Sequence, residues 1–458
     1  MTSAGVDGRA GEPDPPTLRR AIAASAIGNM TEWFDYGVYA YTAVYIGDTF
    51  FPSDNQTAST LGSLLVFAVS FLIRPVGGIV WGPLGDRIGR QRVLATTILL
   101  MASATFCVGL LPGYATLGIL APIGLVALRM IQGFSTGGEY GGAATFMAEY
   151  APDRKRGRFG SFLEFGTLAG FTLGATLALL TTLAVGEANM ADWGWRLPFL
   201  VAAPLGIIGL YLRSKLEDTP VFREAAAEGK IDTKAKSHLR DLLKYWKPIL
   251  LLMGLVVTLN IANYTLLAYM PTYLESEIGL TSRASLILII IGQTAMMLVI
   301  PFSGALSDRL GRKTMWWISI VGLFVLAIPL FKLMSAGFGA AIIAFAVLGL
   351  LYVPQLSTIS AMFPAMFPTH VRYAGFAIAY NISTSLFGGT APAVNQALIN
   401  GTGDKLMPAY YMMAACVVGA VALLFVPETR GCSLRGRGIP GIDTHPELEP
   451  VKPAAAEV

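Results

Sequence analysis

Apolar runs of about 20 residues or more recur along this chain, each closed by a polar or Gly/Pro-rich break. That is the length an α-helix needs to cross ~30 Å of hydrocarbon. About twelve such runs are read, over 21–46, 58–82, 91–111, 116–149, 158–184, 196–213, 248–274, 284–306, 314–334, 338–366, 373–400 and 407–427. They lack the ten-residue alternation of an outer-membrane barrel. Charged residues make up 14% of the chain and hydrophobic ones 54%, against about a quarter charged in soluble domains. The expected fold class is an all-α integral membrane protein.

Orientation follows from charge, because cytoplasmic loops collect Lys and Arg. Of 33 such residues, 27 fall in the two tails and the loops that would share their side, among them Arg154-Lys155-Arg156 and the segment from Arg213 to Lys247. Arg196, Arg283, Lys332 and Lys405 fall near the opposite ends. Both termini are therefore expected in the cytoplasm. The net charge of +4 then reports topology and gives no reason to expect nucleic acid. The first 18 residues are polar and Pro/Gly-rich and read as a disordered tail with no signal peptide. Cys107, Cys416 and Cys432, and His238, His370 and His445, show no metal-ligand spacing, so no metal site and no histidine relay are expected.

The chain repeats itself. GPLGDRIGRQR from Gly82 and GALSDRLGRKT from Gly304 share G-x-L-[GS]-D-R-[IL]-G-R at an offset of 222 residues, close to half the length. This divides the sequence into a tail (1–17), a six-helix bundle (18–214), a charged linker (215–247), a second six-helix bundle (248–428) and a short tail (429–458). Duplicated bundles of this kind are the architecture of secondary transporters, with a site near the midplane between halves.

Charges inside the apolar runs carry the chemistry. Glu32, Asp35, Arg74, Arg129, Glu139 and Glu164 lie away from the predicted interfaces, all in the first half. Each costs roughly 2.5 kcal/mol or more unless neutral, paired or hydrated. Four acids against two arginines reach neutrality by holding about two protons, a route to proton coupling. The competing reading is a purely structural ion-pair network. In GNMTEWFDYGVYAY, helical spacing puts Asn29, Glu32, Tyr36 and Tyr39 on one stripe with Asp35 at its edge. That stripe is expected to face a cavity, with Glu32 its exposed acid and Trp33 and Phe34 turned away as packing aromatics. The second half offers neutral groups: Asn260, Asn263, Tyr264 and Tyr269, Gln293, Gln355, and Tyr380 with Asn381. These either shape a solute site or serve as helix-to-helix hydrogen bonds.

The doubled GxLxDRxGR element and Arg129-Met-Ile-Gln132-Gly133 resemble signatures of the major facilitator superfamily. FLIRPVGG, QGFSTGGEYGGA, EYAPDRKRG, DWGWRLPF and FPAMFPTHVRY, with GNMTEWFDYGVYAY, resemble its metabolite:proton symporter family. The resemblance runs from Leu18 to Glu428 and implies the major facilitator fold, with about 12 transmembrane helices in two six-helix halves. It implies a conformational latch at the cytoplasmic ends, carried by Gly82, Gly85, Asp86, Arg87, Gly89 and Arg90 in one copy and Asp308, Arg309, Gly311 and Arg312 in the other. The glycines permit a tight turn there, and the acid can face a helix N-terminus; the competing reading is topogenic turn charges alone. Arg430 in PETRG reads as a helix stop outside the mechanism. The C-terminal GCSLRGRGIPGIDTHPELEPVKPAAAEV has no heptads, whereas osmosensory members carry a coiled coil, so coiled-coil tuning is not expected.

The leading expectation is a secondary transporter of the bacterial cytoplasmic membrane, a proton symporter of zwitterionic compatible solutes such as proline or betaine. Glu32, Asp35, Glu139, Glu164, Arg129 and Arg74 would handle protons and charge. Tyr36, Tyr39, Tyr264 and Tyr380 would offer faces to a cationic head, Arg129 a donor to a carboxylate, and Asn29, Asn260, Asn263 and Asn381 polar contacts. The expected partners are the solute, protons and the lipid bilayer, with the chain acting as a monomer and needing no cofactor beyond the proton gradient. Two alternatives remain open: a symporter of an organic acid such as a 2-oxo- or hydroxy-carboxylate, and a transporter-like sensor. An enzyme is least expected, since no nucleophile, metal or nucleotide constellation stands out.

Overall fold

The computed structural model describes residues 15–88, 90–137, 139–214, 243–368, 371–434, 439–440 and 442. Both predicted tails, apart from 15–17 and a stretch after the last helix, and most of the linker lie outside these.

Among the described residues, twelve helical passes follow one another. In the first half they are α1 (Pro15–Tyr41, continuing as Ala43–Phe50), α2 (Gln56–Leu72, continuing as Arg74–Ile88), α3 (Arg90–Leu110), α4 (Leu120–Thr136, continuing as Glu139–Tyr150), α5 (Arg156–Val185) and α6 (Leu197–Leu200, continuing as Ala202–Ser214). In the second they are α7 (Trp246–Asn263, a π-helical segment Tyr264–Tyr269, then Met270–Ser276), α8 (Ser282–Leu310), α9 (Arg312–Met334), α10 (Phe338–Leu356, then Ile359–Met362), α11 (Arg372–Ser383, a π-helical segment Thr384–Gly388, then Ala391–Thr402) and α12 (Met407–Phe425). Seven are long and apolar enough to cross a membrane on length and composition alone: α2, α5, α7, α8, α9, α10 and α12.

Small residues set the closest crossings, as expected where lipid removes the hydrophobic drive between helices. At Gly133 and Gly137 the α4 backbone lies directly against the carbonyls of Ser70 and Arg74 on α2, so a Cβ there would overlap them. Gly166 and Gly170 bring α5 equally close to Ala26 and Met30 on α1. α5 packs along α1 within its own half and along α8 across the interface. It therefore carries much of the contact between halves.

The repeated loop element differs from its sequence reading. GPLGDRI and GALSDRL are not turns: they are the last turns of α2 and α8, and helix persists to Ile88 and Leu310. The turn is made in the second copy by Gly311 alone, at φ +101, a backbone conformation that disfavours any other residue. Continuing the helix satisfies backbone groups that an early loop would leave unpaired at a bundle end.

Candidate functional site

The intramembrane charges expected as one group separate into distinct networks. Glu32 on α1 accepts a hydrogen bond from Arg74 Nη2 on α2 at 2.5 Å, and both are buried. Arg74 Nε donates to Thr136 Oγ1 at 3.1 Å, and the Tyr36 hydroxyl lies 3.1 Å from the same oxygen. Arg74 Nη1 is buried with no acceptor among the described residues.

Asp35, three residues on, points elsewhere. Its Oδ2 lies 3.4 Å from Arg129 Nη1 on α4, and its Oδ1 accepts from Thr105 Oγ1 at 2.5 Å and Gln132 Nε2 at 2.8 Å. Arg129 also donates to Gln132 Oε1 at 2.9 Å and Ser70 Oγ at 3.2 Å, and its guanidinium lies 4.2 Å from the Tyr39 ring centroid. The carboxylate adjoins a small space lined by Thr31, Phe34, Met101, Ala102, Thr105, Ala202 and Leu205, between α1, α3 and α6. Asp35 and Arg129 thus sit inside the first half, off the interface.

A small cavity of about 10 Å³, closed down to the room of about one water, lies between the halves. The first half contributes Trp33, Tyr140, Glu164 and Thr167, and the second Asn260, Asn263, Tyr352 and Tyr380 with Leu259, Leu356 and Ile359. Glu164 accepts from the Tyr140 hydroxyl and, at 2.9 Å, from Thr167 Oγ1. Tyr140 stacks on Tyr380 across the interface, with centroids 4.5 Å apart and planes 16° from parallel. Asn29 donates to Thr167 Oγ1 and to the Leu163 carbonyl, both at 2.7 Å, and accepts from the Trp33 indole at 3.0 Å. Opposite, Tyr352 donates to Asn263 Oδ1 at 2.9 Å, and Asn260 Nδ2 donates to Thr384 Oγ1 at 3.0 Å.

Several expectations change here. Glu164 lines the cavity, whereas Glu32 is held by Arg74 and is not part of the lining. Trp33, read as turned away, is a cavity wall. Tyr36 and Tyr39 turn toward α2 and α4 instead, where Tyr39 donates to the Ser63 carbonyl at 3.0 Å. Arg129 is absent from the lining, as are Tyr264, whose ring packs 5.1 Å from Phe71, and Asn381, which donates to the Gly137 carbonyl at 3.1 Å. The physical reason is common to these. Periodicity gives the polar face of α1, but neighbouring helices as well as the cavity take up polar groups. Tyr140, Tyr352 and Thr167 line the cavity without being among the expected residues; Tyr140 lies within the quoted QGFSTGGEYGGA, and Glu164 and Thr167 show i, i+3 spacing. The Glu139 side chain lies outside the described residues.

The cavity is bridged at both ends. On the Tyr41 side, Tyr41 donates to the Leu267 carbonyl at 3.0 Å and accepts from Gln293 at 2.7 Å; Ser385 donates to the Phe71 carbonyl at 2.6 Å. At the end carrying the basic loops, Asp308 accepts from the backbone N–H groups of Gly157 and Arg158, both at 2.9 Å, at the start of α5. Arg312 Nη2 donates back to Asp308 at 2.6 Å. A carboxylate at a helix N-terminus is stabilised by the helix dipole, so one acid of the repeated element clasps the opposite half. In the first copy, Gly82, Gly85, Asp86, Arg87, Gly89 and Arg90 lie outside the residues whose side chains are described.

PETRG joins the clasp, against its reading as a bystander. Glu428 accepts from the Arg312 and Lys313 N–H groups, both at 3.0 Å, and Arg430 donates to the Arg309 carbonyl at 2.6 Å. The chain then passes between the halves: buried Arg156 donates to the Cys432 carbonyl at 3.0 Å, and buried Arg372 to that of Leu434 at 2.8 Å. The Leu434 side chain packs with Ala148 and Ala365, one from each half. Cys432 is buried at this junction. In a background lacking Cys107 and Cys416, Asp308→Ala is expected to speed maleimide labelling of Cys432 about threefold to tenfold, the worth of a lost helix-terminus charge contact. Unchanged labelling would show that Asp308 does not hold this end shut.

The Major Facilitator Superfamily model matches residues 25–392. The chain is 45% identical to the proline/betaine transporter of Escherichia coli (strain K12) over 92% of this chain and 86% of that one. It is 44% identical to the glycine betaine/proline/ectoine/pipecolic acid transporter OusA of Dickeya dadantii, over 92% and 86%. Its fold superposes on the proton:xylose symporter XylE bound to 6-bromo-6-deoxy-D-glucose with a TM-score of 0.73 and 18% identity, over 92% of this chain and 98% of the other. With twelve helical passes around a cavity bridged at both ends, the chain belongs to the Major Facilitator Superfamily and, within it, to the family of these proline/betaine transporters.

Proposed function

We propose that this membrane transporter carries zwitterionic compatible solutes with a cationic head and one carboxylate, such as glycine betaine or proline, in symport with protons. The cavity lining carries the reading. Glu164 and the rings of Trp33, Tyr140, Tyr352 and Tyr380 suit a quaternary or secondary ammonium, since carboxylates and aromatic faces both attract cations. Asn263, its carbonyl already held by Tyr352, offers its amino group to the solute carboxylate. The relatives named above for betaine, proline, ectoine and pipecolic acid support the same class.

The lining disfavours the organic-acid alternative. A dicarboxylate wants free cations at the site, but Arg74 and Arg129 are engaged by Glu32 and Asp35 and neither lines the cavity. The solute therefore meets a carboxylate as the charged group of the lining. Asp35, facing Arg129 inside the first half, is the acid we assign to the coupled proton, with Glu164 assigned to the solute's cation.

Transport proceeds by alternating access, each end opening in turn as its clasp releases. The chain works as a monomer in the bacterial cytoplasmic membrane, both termini in the cytoplasm, because its basic loops share their side. No cofactor is required beyond the proton gradient. A competition panel in proteoliposomes tests the substrate class. Excess proline or ectoine should block labelled glycine betaine uptake, while succinate and 2-oxoglutarate leave it unchanged. Inhibition by the dicarboxylates alone, or binding with no accumulation, would overturn the reading.

A further inference from the structure

We propose that Thr105 on α3 is a positioning residue for proton coupling: its hydroxyl lets Asp35 change protonation state without leaving a buried polar group unpaired. The inference rests on the symport reading above. Thr105 Oγ1 lies 2.5 Å from Asp35 Oδ1 and 2.9 Å from the Met101 carbonyl. A hydroxyl has one proton and two lone pairs, so it can donate to only one of these acceptors at a time.

Gln132 fixes the rest of the geometry. Its Oε1 accepts from Arg129 at 2.9 Å, which orients the amide so that Nε2 donates, at 2.8 Å each, to Thr105 Oγ1 and Asp35 Oδ1. When Asp35 is ionised, Thr105 donates its proton to Oδ1. When a proton arrives on Oδ1, Asp35 becomes the donor to Thr105 Oγ1, and the Thr105 proton rotates onto the Met101 carbonyl. The same short O···O contact serves both directions. No proton passes through Thr105, and each state leaves every participating oxygen paired.

The charge left behind is also provided for. With Asp35 neutral, Arg129 keeps Gln132, Ser70 at 3.2 Å and the face of Tyr39 at 4.2 Å. Among the described residues, Arg129 of α4 is the charged group that faces Asp35. The faces of α3 and α6 at this point present Met101, Ala102, Ala202 and Leu205, and α1 itself presents Thr31 and Phe34. With the Thr31 hydroxyl donating to the Ile27 carbonyl at 3.1 Å, the hydroxyl of Thr105 is the wall oxygen within hydrogen-bond reach of a protonated Asp35.

The test compares Thr105→Val, Thr105→Ala and Thr105→Ser in proteoliposomes, reading accumulation driven by a pH gradient and, separately, solute exchange at equal pH. Thr105→Val and Thr105→Ala should slow the initial rate of gradient-driven accumulation about tenfold and move its pH midpoint by about one unit, the worth of one hydrogen bond to a charged group. Exchange should stay within about threefold of the parent, a loss below that of one such bond. Thr105→Ser, which keeps the hydroxyl, should restore both the accumulation and the midpoint. Equal losses in accumulation and exchange with an unmoved midpoint, or failure of Thr105→Ser to rescue, would overturn the role of Thr105 alone. If the parent protein itself ignores the pH gradient, the symport reading fails and the inference falls with it. Should Thr105→Val fail to fold, Thr105→Ala and Thr105→Ser decide the matter by the same two readouts.

Discussion

Replacing Glu164 by Gln is expected to cut uptake of glycine betaine about 30-fold or more, because removing one partner of a buried charge pair costs roughly 2 kcal/mol or more. The side chain keeps its size and one acceptor oxygen for Tyr140 or Thr167, while its NH2 replaces the other, so the loss reports charge and one hydrogen bond more than packing. The effect should appear as weaker solute affinity in binding measurements, and Glu164→Asp should recover part of it. An anionic analogue of the solute, with a tert-butyl group in place of the quaternary ammonium, should gain or hold affinity in the Gln variant. Parent-like affinity for betaine would remove Glu164 from the solute site.

Asp35→Asn should have the second large effect, of a different kind. A one-proton symporter reaches about tenfold accumulation for each pH unit of imposed gradient, since one unit corresponds to about 1.4 kcal/mol. An amide cannot take up the proton, so the accumulation ratio should fall to about one in this variant, the equilibrium value for a carrier that no longer uses the gradient. Exchange of labelled for unlabelled solute should continue, because the amide oxygen that replaces the carboxylate can still accept from Thr105 and Gln132. Glu32→Gln is expected to behave otherwise. It leaves buried Arg74 with Thr136 as its remaining hydrogen-bond acceptor, where Arg129 without Asp35 keeps both Gln132 and Ser70, and a buried charge stripped of its partner is strongly destabilising. Lower expression and reduced exchange are the expected signs. If Glu32→Gln uncoupled transport while Asp35→Asn did not, the roles assigned to the two acids would be reversed.

The contrast between these acids shows what could be read from residues alone. Helix lengths were legible because crossing hydrocarbon demands an uninterrupted apolar run: 158–184 became Arg156–Val185, and 314–334 became Arg312–Met334. The repeat was legible because two copies of one motif stand half a chain apart. The cavity face of α1 was not. Sequence spacing gives Asn29, Glu32, Tyr36 and Tyr39 a common stripe, but which neighbour meets that stripe depends on how closely α2, α4 and α5 approach. Gly133 and Gly137 draw α4 onto α2, and Gly166 and Gly170 draw α5 onto α1. Those approaches hand Tyr36 and Tyr39 to Thr136, Ser63 and Arg129, give Asn29 to α5, and leave Trp33 at the cavity. The π-helical segments in α7 and α11 were equally hidden. Each follows residues that read as ordinary helix, and Thr384, the first residue of one, is the acceptor for Asn260. The helical character of the repeated loop element was obscured for a related reason. Its glycines invite a turn, and only Gly311, with its positive φ, makes one among the described residues.

The two halves both contribute to the cavity. Charge was expected from the first half and solute shape from the second; the cavity's carboxylate does come from α5, while its aromatic stack joins both halves through Tyr140 and Tyr380. Under the proposed function, a solute seated there would touch groups of both halves. In this account that contact is what lets solute binding bias the equilibrium between the two open states.

The most direct test follows protons and solute together. Proteoliposomes holding the parent protein and a trapped pH indicator, with no imposed gradient, should acidify inside when glycine betaine is added outside, and the acidification should vanish in Asp35→Asn while exchange persists. Betaine entry with no internal acidification in the parent protein would contradict proton symport, whatever the solute specificity proves to be.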